Sequence, residues 1–162
     1  MEVVKKKISD LKLDGDNARN HNHRNINSIK ESLLAFAQYA PVVVQESSNM
    51  VIAGNGTCMA AKELGWNEID CIVVDVSDEK ARAISIVDNR STELSNWDTT
   101  ALLKVLTHLD VQNLAIAGYT EKEVERLMES LNFDQKTQDT FDKIKEAKEY
   151  TCPKCGKTFA KK

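Results

Sequence analysis

Apolar residues fall into two patterns along this chain: short β-branched runs, and longer stretches where they recur every three or four positions. Glu2–Ile8 opens with Glu-Val-Val and predicts a first strand. The segment Ser9–Asn25 that follows is almost wholly polar. Ile26, Ile29, Leu33 and Phe36 share one face at helical spacing and predict a helix from Asn25 to Gln38. Pro41 stops it, and Val42-Val43-Val44-Gln45 reads as a strand. Ser47-Ser48-Asn49 is a turn and Met50–Ala53 a second strand, so the two form a hairpin. Gly54-Asn55-Gly56-Thr57 breaks that strand, Cys58–Leu64 is helical, and Gly65 caps the helix.

Cys71–Val76 is a continuous β-branched run, as expected of a buried strand. Ser77-Asp78-Glu79 caps a helix through Val87 that reaches Asp88-Asn89-Arg90. Asp98 opens a helix carrying Leu102, Leu103, Leu106 and Leu109. Thr120 and Glu123 form a capping box for Glu121–Leu131, whose Val124, Leu127, Met128 and Leu131 make one apolar stripe. Strands and helices mix early and helices dominate late, which is an α+β arrangement: a small mixed sheet packed with helices, then a helical part. The expected divisions are a sheet domain over 1–95, a helical extension over 96–131, a polar linker over 132–149 and a small basic tail over 150–162.

Composition narrows the function classes. The chain has 162 residues, 41% hydrophobic and 29% charged, enough for a buried core. No apolar run approaches the ~20 residues of a membrane helix, and the N-terminus lacks a signal-peptide block, so the expected location is the cytoplasm. A net charge of −3 argues against coating nucleic acid by bulk charge and leaves a local basic patch open. Cys58 and Cys71 sit in apolar surroundings while Cys152 and Cys155 form a CxxC, which reads as buried thiols plus a metal motif.

Three segments carry candidate chemistry. At Gly54–Thr57 a strand ends in a glycine-bounded turn that feeds a helix, whose first N–H groups and dipole suit a phosphate. Gly54 and Gly56 let a ligand approach the backbone, and Thr57 adds a hydroxyl that also suits a helix cap. A tight strand–helix turn without a ligand fits the same residues. His21 and His23 lie two apart in a loop rich in Asn, near Asp14 and Asp16; an extended loop points both imidazoles one way, toward a metal or phosphate, whereas a solvated turn needs nothing more. Cys152-Pro153-Lys154-Cys155-Gly156 is half of a zinc site. Zinc wants four ligands, so two chains sharing one Zn²⁺, with two cysteines from each, is the preferred reading and implies a homodimer; an unliganded remnant is the alternative. The lysines from Lys143 onward suit either DNA contact or a solvated tail.

The order of these pieces resembles the ParB/sulfiredoxin superfamily over roughly Met1 to Leu131. The resemblance rests on Asn17-Ala18-Arg19, Ser28-Ile29, Pro41–Val44, Ile52–Thr57, Ala60–Gly65 and Cys71–Asp75. Val87-Asp88-Asn89-Arg90-Ser91 is similar to the family's third nucleotide-contacting motif, and Gly118–Met128 resembles a tail common in phage-type members. It implies an α+β ParB-like fold that binds a nucleotide or phosphate and acts on or near DNA, as a nuclease, an NTPase or a non-catalytic adaptor. On this reading Asn17, Arg19, Gly54, Asn55, Gly56, Thr57, Asn89 and Arg90 contact the nucleotide, with Asn89 at the base or ribose. His21 and Asp88 are the candidate catalytic pair, Asp88 as a ligand for Mg²⁺. Two departures stand out. Where partitioning ParB proteins carry Gly-Glu-Arg-Arg, this chain has Gly56 and Thr57 in place of the arginines, removing two bidentate phosphate contacts. Where sulfiredoxins carry their nucleophilic cysteine, it has Asn55; Cys58 lies three residues further and reads as a buried small hydrophobe. Only two helical segments are expected between Asn89 and the linker, too few for a centromere-reading helix-turn-helix.

Overall fold

The strands β1 (Val3–Lys7), β2 (Val42–Gln45), β3 (Val51–Ala53) and β4 (Glu68–Val74) form one mixed sheet in the order β1–β4–β2–β3. The computed structural model describes residues 2–15, 18–131, 149–151 and 158–160. β1 pairs antiparallel with β4, β4 parallel with β2, and β2 antiparallel with β3. The helices are α1 (His23–Phe36), α2 (Asn55–Glu63), α3 (Asp78–Leu94), α4 (Thr99–Leu106), α5 (Val111–Ile116) and α6 (residues 121–131). This is the α+β architecture the sequence implied. By compactness the chain divides into Met1–Trp97 with Leu109–Thr120, and Asp98–His108 with Glu121–Lys162.

The first unit holds the sheet. Alternation along β4 sends Ile69 and Cys71 into the interior, where Val42 and Val44 of β2 join them. Ile26 and Leu33 of α1 and Cys58, Ala60 and Ala61 of α2 cover this face. The small buried side chains of α2 let its backbone lie close to its neighbours, which fixes where its N-terminus emerges. Beyond its end, Gly65 (φ +75) accommodates the left-handed residue of a Schellman motif: its N–H bonds Lys62 C=O, and Trp66 N–H bonds Ala61 C=O. In the second unit Leu103 and Leu106 of α4 and Val124 of α6 are buried. There β5 (Glu149–Thr151) pairs antiparallel with β6 (Thr158–Ala160), with Tyr150 opposite Phe159. Cys152 and Cys155, between these strands, lie outside the described residues.

Several boundaries differ from expectation, each for a local reason. α1 starts at His23 because the Asn22 side chain accepts from Asn25 N–H at 2.9 Å, a strong N-cap. His21 and His23 therefore fall on opposite sides of a helix start instead of sharing an extended loop. α2 starts at Asn55, so Asn55, Gly56 and Thr57 are its first turn, and the cap is Gly54 rather than Thr57. α3 continues to Leu94, past Asp88-Asn89-Arg90. α4 ends at Leu106, leaving Leu109 outside it, and α5 is an additional helix, opened by Asp110 accepting from Asn113 N–H at 2.8 Å. Three helices thus follow Asn89, where two were expected. Among the described residues no helix is long and apolar enough to cross a membrane.

Candidate functional site

The site is built around the junction of β3 and α2. Gly54 holds φ +91°, and a Cβ there would lie 2.7 Å from Val42 Cγ1, so only glycine fits. As the helix cap it has no side chain to satisfy the first-turn N–H groups. The first backbone bond of the helix runs from Cys58 N–H to Gly54 C=O at 3.0 Å. The N–H groups of Asn55, Gly56 and Thr57 precede it at the positive end of the dipole. Gly56 is needed for a different reason: a Cβ there would sit 2.8 Å from His21 Cε1 and 3.0 Å from Ile29 Cδ1. The missing side chain is what lets the His21 ring lie against the start of α2.

The chain segment before α1 is pinned in place by β3. Lys12 forms a parallel bridge with Met50, and its carbonyl accepts from Val51 N–H at 2.8 Å. Asn55 is 6% exposed, and its Oδ1 accepts from Asp14 N–H at 3.2 Å while Nδ2 donates to Val51 C=O at 3.3 Å. The Asn55 side chain is thus a tie between segments, and its backbone N–H is what it offers a ligand. This tie leads the chain to Arg19 and His21. His21 Nδ1 lies 2.7 Å from Asn25 Oδ1, and with the amide in that orientation Nδ1 donates to it. Arg19 Nε donates to Asn89 Oδ1 at 2.9 Å, and its Nη2 pairs with Glu93 Oε1 at 3.5 Å.

Helix α3 supplies the opposite wall. Ser85, Asp88 and Asn89, at i, i+3 and i+4, share one face of it and line a cleft with Arg19, His21, Ile29 and residues 52–57. The cleft holds about 190 Å³, room for phosphate groups. Of the residues predicted from sequence, Arg19, His21, Gly54, Asn55, Gly56, Thr57, Asp88 and Asn89 converge here. Arg90 does not: one helical step of ~100° turns it to an adjoining cleft of about 350 Å³ lined by Asp14, Arg82, Ile86 and Glu93, where it donates to Glu93 Oε2 at 3.2 Å. Asn17 lies outside the described residues. Ser85 and Glu93 were not singled out from the sequence. Their spacing about Asp88–Arg90 would have marked them had the helix been extended to Leu94.

Two further features bound the chemistry. A larger cavity of about 400 Å³ adjoins the cleft through Ile29 and Thr57, lined also by Ser28, Phe36, Gln38 and Tyr39. That volume falls in the range of small-molecule sites. Cys58 is 2% exposed, and its thiol is pushed up to about 12 by burial and, secondarily, by the charge of Cys71, so it supplies no thiolate near neutral pH. Among the described residues no three His, Cys, Asp or Glu side chains group as metal ligands, and Asp88 is the one carboxylate on the cleft lining.

Comparison with known proteins matches this architecture. The model of the ParB N-terminal domain covers residues 1–90. The ParB-like nuclease domain-containing protein YnaK of Escherichia coli (strain K12) is 30% identical over 81 residues, covering 49% of this chain and 92% of that protein. Among solved structures, the C-terminally truncated chromosome-partitioning protein ParB from Caulobacter crescentus, complexed with CTP-γ-S, superposes with a TM-score of 0.65 at 18% identity, covering 82% of this chain and 79% of that one. Sulfiredoxin from Arabidopsis thaliana aligns at 16% identity over 52% of this chain and 97% of its own, with a TM-score of 0.46, too loose a likeness to bear on the site.

Proposed function

The chain belongs to the ParB N-terminal domain family, and from that premise we propose that it is a nucleotide-binding module acting on or near DNA. The observation that carries this reading is the uncapped first turn of α2, opening on a cleft lined by Arg19 and Asn89, which are hydrogen-bonded to each other. Phosphates lie against the N–H groups of Asn55, Gly56 and Thr57. The nucleoside extends into the adjoining cavity, where Phe36 and Tyr39, both largely exposed, offer aromatic faces. Mg²⁺ fits only together with such a ligand: Asp88 provides one carboxylate, and phosphate oxygens complete the shell. The Caulobacter ParB with CTP-γ-S shares the fold and is the reason to test cytidine nucleotides first.

A second reading, a phosphodiester nuclease, draws on the placement of His21 and Asp88 in one cleft and on the description of YnaK. His21 Nε2 would take a proton and Asp88 would hold a metal. The cysteines at 152 and 155, bracketed by the paired strands β5 and β6, are proposed to hold a zinc shared between two chains.

Calorimetric titration with the four Mg²⁺-ribonucleoside triphosphates tests the principal reading. We expect one to bind, and Arg19→Ala to weaken it by about ten- to a hundredfold, the size of a lost charged hydrogen bond. No binding by any of them overturns the nucleotide reading and leaves a DNA-associated adaptor. Metal-dependent nicking of plasmid DNA that His21→Ala abolishes would favour the nuclease.

A further inference from the structure

The carboxylate of Glu93 holds two arginines at once. Its Oε1 lies 3.5 Å from Arg19 Nη2 and its Oε2 3.2 Å from Arg90 Nη1. Arg19 and Arg90 belong to different clefts, and those clefts share Ser85 and Asn89 as a common wall. Two guanidinium groups gripping a single anion is the arrangement with which proteins hold phosphate. Here the anion is internal, and it sits at the rim of the cleft, with about half of its side chain exposed. Arg82, in the second cleft, has no ion-pair or hydrogen-bond partner among the described residues.

We propose that Glu93 is a built-in competitor that sets how strongly, and for which ligands, the cleft binds phosphate. A phosphate at the start of α2 draws Arg19 away from Glu93. A ligand carrying a second, linked phosphate goes further: it enters the adjoining cleft between Arg82 and Arg90 and displaces the carboxylate altogether. The linked-phosphate chemistry could be a nucleoside polyphosphate or a single nucleic-acid strand. Glu93 therefore acts through Arg19 and Arg90 as a positioning residue, and its penalty grows with the number of guanidinium groups a ligand takes from it. This inference rests on the nucleotide reading of the same cleft.

The test titrates wild type, Glu93→Gln and Glu93→Asp with pyrophosphate, with the Mg²⁺-ribonucleoside mono- and triphosphates, and with a short oligo(dT). Glu93→Gln is expected to tighten monophosphate binding by about fivefold, as when one exposed carboxylate stops competing for a guanidinium. The gain should grow for linked phosphates, which take both arginines from the carboxylate, fade at high salt, and be absent in Glu93→Asp. A merely structural role would shift the melting temperature without this ligand- and salt-dependent pattern. The triphosphates and oligo(dT) tell apart the two sources of linked phosphate. Binding by wild type with no gain in Glu93→Gln overturns the role of Glu93 alone, whereas no binding by any protein overturns the nucleotide reading and this inference with it.

Discussion

Cys58 and Cys71 are both fully enclosed between α2 and the sheet, and burial raises both thiols above their ordinary value of 9.0, Cys58 to about 12. The sign of the consequence follows from which state releases the proton. Above pH 9 the unfolded chain ionises these thiols while the folded chain keeps Cys58 protonated until about 12. Their contribution is therefore complete below pH 9 and is lost as pH rises through that window. For Cys58 the loss is about 1 kcal/mol by pH 10. Urea midpoints for wild type should hold between pH 7 and 8.5 and drop by pH 10, and Cys58→Ala should show a shallower drop, the remainder coming from Cys71. Equal drops in both proteins would refute this. At this scale the sequence was legible where one residue's own chemistry decides. The glycines at 54 and 56 and the apolar setting of Cys58 announced themselves. That Gly56 makes room for His21, or that Asn55 turns its side chain inward to Asp14 and Val51, depends on partners distant in the chain.

Elements came through the sequence better than their ends did. All four strands of the sheet follow from β-branched runs, and α1, α2 and α3 from caps and spacing. Their boundaries moved where a side chain cap competed with the apolar pattern, as at Asn22, or where polar residues continued a helix, as from Asp88 to Leu94. What placed α3 over the cleft was invisible locally. Gln45, 1% exposed at the end of β2, donates through Nε2 to Val76 C=O at 3.0 Å and to Asp78 Oδ1 at 2.9 Å, and accepts from Ser48 Oγ. It thereby fixes the first turn of α3 to the sheet, and about two to three turns on, Ser85, Asp88 and Asn89 reach the cleft. Gln45→Ala removes three part-buried hydrogen bonds and empties a 1% exposed position, and should cost about 2 to 3 kcal/mol in urea unfolding. Under conditions where the variant remains folded, it should also weaken nucleotide binding, because the wall of the cleft loses its anchor. Unchanged affinity would mean that its other contacts, with β3 and with Arg19, suffice to hold α3.

For the whole molecule, the C-terminal cysteines bear most directly on how many chains act together. A CxxC provides two thiolates, and a closed zinc site needs four ligands. Cys58 and Cys71 are spent in the core, where withdrawing either would open a cavity under α2. Among the described residues no other grouping of His, Cys, Asp or Glu is ready to complete the set. The strands Glu149–Thr151 and Thr158–Ala160, on either side of the CxxC, pair antiparallel. A second copy is then the simplest source of the missing pair. Protein purified with zinc should contain one metal per two chains and sediment as a dimer. Cys152→Ser should lose the metal and run as a monomer, with nucleotide binding at Arg19 retained. Chelation of wild type should have the same effect and be reversed by added zinc. One zinc per monomeric chain would refute the shared site and direct the search for the remaining ligands back into the same chain. A zinc-free dimer would move the subunit contact elsewhere, with the exposed apolar residues Ile86, Val87 and Leu94 of α3 the first place to look.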